Sequence, residues 1–234
     1  MDTILQNALP DDQRGAPRLP GTMPCPPDGW LHVDDAYAAQ MAYREKLLAE
    51  KTEAVLYDKA EPASLEVLQE ALRLLPALGF EVSTNGVKCP DGRNVSLDWG
   101  APLRTLGQLA QEDICILEKR GDEHVLTAAV LCFPANWRLA EKVNRPLIGI
   151  HAPVPDYDAN VARRVQRLFD GVQAGRPLWR FNKLHYADAD LNQPQRHRIT
   201  DDTPFVRSER QCILRLPKTN AVVFSIHTYV VCPD

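Results

Sequence analysis

The chain has 234 residues, 44% of them apolar and 25% charged, and carries a formal net charge of -4. This is the composition of an ordinary globular protein, with no basic footprint for nucleic acid or an anionic membrane surface. No apolar run reaches membrane-spanning length, and the first residues lack the basic start and apolar core of a secretory signal.

Residues 1–29 hold six prolines, at 10, 17, 20, 24, 26 and 27. Proline removes the N–H that helices and ladders need, so this stretch predicts an extended arm. From about Asp34 to Glu50 the chain predicts a helix, with Asp34 or Asp35 able to cap it and Tyr37, Ala38, Met41 and Leu48 on one side. A second helix is expected over about 63–75, with a stripe of Leu65, Val67, Leu68, Leu72 and Leu75.

After Phe80 the period changes to two, and Asn85-Gly86 and Asp91-Gly92 mark turns. A hairpin is expected from Cys115 to Phe133, bending at Arg120-Gly121-Asp122. Helices should come next over about 137–143 and 159–174, the second with Val161, Val165, Leu168, Phe169 and Val172 on one face. Strands are expected near 178–186, 211–216 and 221–231. The order implies an α+β fold: about five antiparallel strands with helices on one face of the sheet, leaving a pocket between the layers. Six cysteines form no C-x-x-C pair and read as reduced, mostly buried thiols of a cytoplasmic protein.

Four places carry side chains suited to chemistry. His151 ends an apolar run in RPLIGIHAPVPDY, with Pro153 and Pro155 stiffening the backbone just after it. An imidazole held there can ligate a metal or a haem iron, or hydrogen-bond a loop carbonyl; lone histidines commonly do the latter. In the last strand Val223, Ser225, His227 and Tyr229 share a face, which suits a pocket wall and equally a solvated strand. In RPLWRFNK, Arg180 and Asn182 share a face, and an arginine fork suits a carboxylate or phosphate. Arg207, Glu209, Arg210 and Arg215 form either a salt-bridge network or an anionic site. Cys132 is a further thiolate candidate for iron, although its apolar setting favours a buried structural thiol.

Several longer strings carry a resemblance. QEDICIL, LCFPANWRLAEKVNRPLIGIHAPVPDY, RPLWRFN and RSERQCILRLPKTNAVVFSIHTY occur in the order seen in the haem-dependent oxidative N-demethylase alpha-subunit family, and WLHVDDAYAAQMAYREKLL fits it too. The similarity spans roughly residues 28–231. It implies a PAS-like antiparallel sheet with flanking helices as a core over 79–234, a helical extension over 30–78, and the arm over 1–29. It further implies a monooxygenase-type oxidoreductase: oxidative demethylation of a small secondary amine such as dimethylamine at haem b, with O2 and electrons from a flavin and iron–sulfur reductase subunit. A second copy of the chain is a further candidate partner; nucleic acid and membrane are not.

Residue by residue, His151 matches the I-H-x-P-V-P histidine and becomes the first choice of iron ligand, with His227 and Cys132 as alternatives; the resemblance puts Arg180, Asn182 and Arg207 around the cofactor, where His227 could make a propionate contact or offer a second ligand. Glu209 and Tyr229 become the catalytic candidates. The chain departs from the family in having Lys183 after R-x-N instead of Trp, and His227 where I-R-T-Y is usual. It also stops at Asp234, where relatives continue, which would leave a pocket without that segment as a cover. These departures keep two other readings in play: a PAS-like module that binds haem or a small ligand without turnover, and a structural subunit with an empty pocket.

Overall fold

Alternating apolar residues from Asp113 onward build the long strands that everything else packs on. A computed structural model describes residues 3–17, 21–151, 159–195 and 202–233. The N-terminal segment contributes a 3-10 turn at Asp11–Gln13 and a two-residue strand, β1 (Met23–Pro24). Then come α1 (Tyr37–Glu50), the single turn α2 (Thr52–Val55), β2 (Leu56–Asp58) and α3 (Glu61–Leu74). Short strands β3 (Glu81–Val82), β4 (Gly86–Lys88) and β5 (Asn94–Ser96) form a separate antiparallel sheet ahead of α4 (Pro102–Leu109). The hairpin β6 (Asp113–Arg120) and β7 (Glu123–Val130) leads to α5 (Leu147–His151) and α6 (Ala159–Gly171). The chain then runs through β8 (Leu178–Tyr186), β9 (Phe205–Arg215) and β10 (Val222–Val231). No helix among the described residues is long and apolar enough to cross a membrane.

Seven strands form the main sheet in the order β1-β8-β9-β10-β6-β7-β2, every neighbouring pair antiparallel. The expected hairpin at Arg120-Gly121-Asp122 is present; Gly121 takes φ 62, which a glycine reaches without a Cβ penalty. The turn between β9 and β10 is held from outside. Glu66 of α3 accepts the backbone N–H of Lys218 at 2.7 Å and of Thr219 at 2.8 Å, tying helix to turn.

Helices lie on both faces of the sheet, a correction to the expectation of one. On one face α1, α3 and α4 bury Met41, Leu48, Leu68, Leu103 and Leu106 against Ile114, Ile116, Val130, Cys212 and Val223. On the other, Leu147 of α5 and Phe169 of α6 pack with Cys115, Leu117, Ala129, Ile213 and Val222. The apolar stripe of α6 needs its own surface, and a sheet whose two faces are both apolar supplies one.

Two further expectations change. The helix predicted over 137–143 is only a 3-10 turn, Leu139–Glu141; Asn136 and Asn144, both at positive φ, bracket it and interrupt any helix. The strand predicted from 211 begins at Phe205 instead. Its charged first half stays extended and buried because Arg207 and Glu209 neutralise each other at 3.1 Å.

One buried cation joins the pieces on the α1 side. Arg44, fully buried, ion-pairs with Asp113 at 2.7 Å and donates to the carbonyls of Gly107, Gln111 and Glu112. Asp113 in turn accepts the N–H of Cys132 at 2.7 Å and of Phe133 at 2.8 Å. Replacing Arg44 by methionine leaves the Asp113 charge buried without its cation, a loss of about 3–5 kcal/mol. Urea titration should therefore show a lower midpoint with an unchanged slope; a shift under about 1 kcal/mol would mean the pair is not what holds α1 to the sheet.

Candidate functional site

Strand register sorts the candidate residues into rows on the α6 face. Asn182 of β8, Glu209 of β9 and Thr228 of β10 stand side by side. Next to them lies the row Arg180–Gln211–Ile226, and beyond it the apolar row Leu178–Ile213–Phe224. On the other flank is Leu184–Arg207–Val230. Alternation puts these on the same face as Ile213 and Val222, which pack under α6, except that at the sheet's end Val230 packs into the α1-side core.

The polar rows are wired from within. Glu209 receives Arg207 Nε at 3.1 Å on one carboxylate oxygen, and on the other Asn182 Nδ2 at 3.1 Å and Gln211 Nε2 at 3.3 Å. Arg207 is anchored further by the carbonyls of Leu191 and Phe133 and by the Tyr186 ring, 5.9 Å away. Three buried atoms of this patch have no partner among the described residues: Arg180 Nε, Asn182 Oδ1 and Thr228 Oγ1. Desolvation lowers the pKa of Arg180, and no charge among the described residues offsets the effect. Arg180 Nε and the Thr228 hydroxyl can donate to an anionic edge, Asn182 Oδ1 can accept from a ligand N–H, and the neighbouring apolar row suits an apolar body.

The opposite face of β10 holds His227 and Tyr229, so alternation separates them from Arg180, Asn182, Arg207 and Glu209. That face is not solvated, as a plain exposed strand would be; the N-terminal segment covers it. Gln6 receives the Val230 N–H at 2.7 Å and donates to Asp34 at 2.8 Å, and Ser225 donates to the Trp30 carbonyl at 3.0 Å. Both ring nitrogens of His227 are taken: Nδ1 lies 2.8 Å from Glu112 and Nε2 3.1 Å from Asp34. Burial pushes the imidazole down, but the Glu112 charge and bonds to Asp34 and Glu112 raise it to about 9. Burial pushes Asp34 up, but hydrogen bonds from His227, Gln111 and Gln6 hold its carboxyl at about 2. Tyr229 packs on His227 with ring centroids 4.6 Å apart, and burial raises its phenol above the usual range.

Of the remaining candidates, Cys132 is fully buried on the α1 face, with burial pushing its thiol up to about 12. This is the state of a structural thiol rather than a thiolate ligand. His151 ends α5, but its side chain, Pro153 and Pro155 lie outside the described residues. Lys183 donates to the carbonyls of Arg14 and Gly15 at 2.6 and 2.8 Å, which ties β8 to the N-terminal segment. Reading the sequence missed Thr228, Gln211, Glu112 and Asp34 as site members. Asp34 was legible only as a candidate helix cap; the N-cap of α1 is Ala36, with no side-chain cap bond, and Asp34 instead closes the turn before it by accepting the Ala36 N–H at 2.9 Å.

A family model described as haem-dependent oxidative N-demethylase, alpha subunit-like, matches residues 21–232, and the chain belongs to that family. The match runs across both faces of the sheet and so includes the polar rows and the His227 cluster. The cluster sets a pH dependence. His227, raised from 6.5 to about 9, contributes stability that is complete below pH 6.5 and lost as pH rises through 9. Asp34, lowered from 3.8 to about 2, contributes stability present above pH 3.8 and lost as pH falls through 2. The stability difference between wild type and His227→Gln should thus be largest near pH 6 and shrink by on the order of 1–3 kcal/mol toward pH 9. Urea midpoints across that range measure it, and a pH-independent difference would place the charge elsewhere.

Proposed function

We propose that this member of the haem-dependent oxidative N-demethylase alpha-subunit-like family binds haem b on the α6 face of its sheet and uses it to demethylate a small secondary amine. The observation that carries the reading is the patch of three unpartnered buried polar atoms, Arg180 Nε, Asn182 Oδ1 and Thr228 Oγ1, beside Leu178, Ile226 and Phe224. A haem has an apolar disc and two carboxylates, and both halves find counterparts here. When bound, it would supply the oxygen-activating redox chemistry that no side chain offers, with electrons from a partner reductase carrying flavin and an iron–sulfur cluster.

The chain's own residues then have distinct tasks. Arg180, whose Nε has no partner among the described residues, pairs with a propionate and recovers the charge stabilisation that burial denies it. Leu178, Ile226 and Phe224 exclude water from the disc. Glu209 stands at the polar end, held in place by Arg207, Asn182 and Gln211, which all donate to it. A secondary amine is a cation near neutral pH, so this carboxylate attracts it and can accept a proton from its nitrogen. Asn182 orients Glu209 and offers Oδ1 to the same N–H. His151 stands in this proposal as the iron ligand, on the strength of its place in the family string. His227 and Tyr229 are left out of the haem-holding set, since they face the other way and His227 has both nitrogens engaged.

The test is spectroscopic first. Ferric haem titrated into the purified full chain should give a Soret band, which Arg180→Leu weakens by about tenfold in affinity and His151→Ala shifts or abolishes. With a reductase and dimethylamine, Glu209→Gln should retain the band but lose formaldehyde production by at least about a hundredfold. A chain that gives no Soret band under any loading condition ends the haem proposal. A band without amine-dependent oxygen use would leave a haem-binding module and end the enzymatic one.

A further inference from the structure

The outer side of α6 concentrates positive charge that nothing else in the fold uses. The apolar stripe of the helix packs on the sheet, and Arg163, Arg164 and Arg167 stand exposed on the other side. Arg167 follows Arg164 by three residues and Arg163 by four, so the three share one stretch of helix surface. None has an ion pair among the described residues. Arg163 donates to the neutral Asn160, and Asp170, the one acid of the helix, is taken by Lys119. Like charges at these spacings repel, so the ridge costs the helix stability that an acid among them would restore. The adjoining α5 adds to the patch. Arg145, also exposed and without an ion pair among the described residues, lays its stem over Gly149, where a Cβ would stand 3.5 Å from Arg145 Cβ and 3.8 Å from Cδ. Ile148 on the same helix is 54% exposed, the most exposed large apolar side chain among the described residues.

We infer that this α5–α6 surface is the docking site of an acidic electron-carrier protein, with the arginines meeting its carboxylates and Ile148 making the apolar contact. Protein interfaces gather arginine and exposed apolar side chains, because a guanidinium pairs with a carboxylate through a fixed fork and an apolar contact excludes water around it. The chain as a whole carries a charge of -4. An acidic partner is therefore repelled by most of the surface and drawn to this one region, which fixes its approach. The same balance disfavours nucleic acid, whose phosphates would meet the net negative charge along a much longer contact.

That the partner carries electrons rests on the haem reading above; the docking surface rests on α5 and α6 alone. Helix α6 is the layer between solvent and the sheet face that holds Leu178 and Phe224. A carrier seated on its outer side stands one helix, about 10 Å, from that face. Contacts made by exposed charges give fast arrival and fast release, which suits a partner that must leave after each delivery.

The experiment titrates the purified full chain, with and without added haem, with a plant-type ferredoxin, an acidic one-electron carrier. Binding should be measurable at low salt and weaken about tenfold at ~0.15 M salt, because the charges in contact are exposed. The triple variant Arg163→Glu, Arg164→Glu, Arg167→Glu should weaken low-salt binding at least about tenfold, mainly through the association rate. Neutralising the same three to Gln should give a smaller loss, and urea midpoints show whether either variant folds as the wild type does. Lys46→Glu, Lys51→Glu, Arg73→Glu makes the same change of net charge at exposed cations on the α1 side, and should leave binding within about twofold. Ile148→Ser should speed dissociation. Absence of low-salt binding, or equal losses in the two Glu variants, would overturn the inference. So would a random-sequence DNA duplex that binds as tightly as ferredoxin and loses binding in the same variant, since the ridge would then be a general polyanion site. Ferredoxin that binds the ridge of a chain with no Soret band supports the docking surface and ends the haem reading; a Soret band with ferredoxin binding that ignores the ridge does the reverse.

Discussion

The ion pair of Arg44 with Asp113 holds the two halves of this fold together. Helix α1 precedes the sheet in sequence, and its deepest polar anchor is one cationic side chain reaching into the core. Arg44 closes off the last carbonyls before β6, while Asp113 takes the first free N–H groups after β7. Both ends of the hairpin are therefore fixed by one salt bridge. The Phe133 ring lies 5.2 Å from the guanidinium, and the Phe133 carbonyl receives Arg207 from the far side. Displacing Asp113 would loosen the segment that anchors Arg207, and with it the partner of Glu209.

The same solution recurs twice more. Arg207 with Glu209, and His227 with Glu112 and Asp34, are buried charges matched within the fold rather than on its surface. Breaking such pairs is costly, so they act as fixed points, whereas a purely apolar contact could slide. The sheet divides them by face. One face takes the arm, α1 and the imidazole; the other takes α6 and leaves a polar patch only partly satisfied. A strand of alternating side chains can thus serve structure on one side and ligand chemistry on the other.

Much of this was legible in the sequence. The apolar stripes of α1, α3 and α6 and the hairpin at Gly121 come from periodicity and turn chemistry. The grouping of Arg180 with Asn182, and of His227 with Tyr229, comes from a period of two. Which groups would meet was not legible, because register between strands is a long-range property. Asn182, Glu209 and Thr228 are far apart in sequence and become neighbours only through two strand pairings. The burial of Arg207 and Glu209 was hidden for a related reason: charges read as surface until their partner is known. Asp34 and Glu112 carried no local sign that they would share one histidine across 193 and 115 residues of chain.

The margins of the sheet have a consequence of their own. Its β8 side ends on β1, two residues long, and one of them is Pro24, which has no N–H to offer a further strand. Its β7 side is filled by β2, by Lys59 donating to the Thr127 carbonyl, and by the exchange between Leu126 and the Asn144–Arg145 backbone. Among the described residues the β7 border thus presents no long open row of donors and acceptors that another chain could zip onto, whereas on β8 the short β1 covers only Leu178 and Trp179 and leaves Arg180 to Tyr186 without a strand on that side. Strand addition is therefore blocked at the β7 border, which guards that side of the sheet against the edge-to-edge growth that turns β-sheets into fibres.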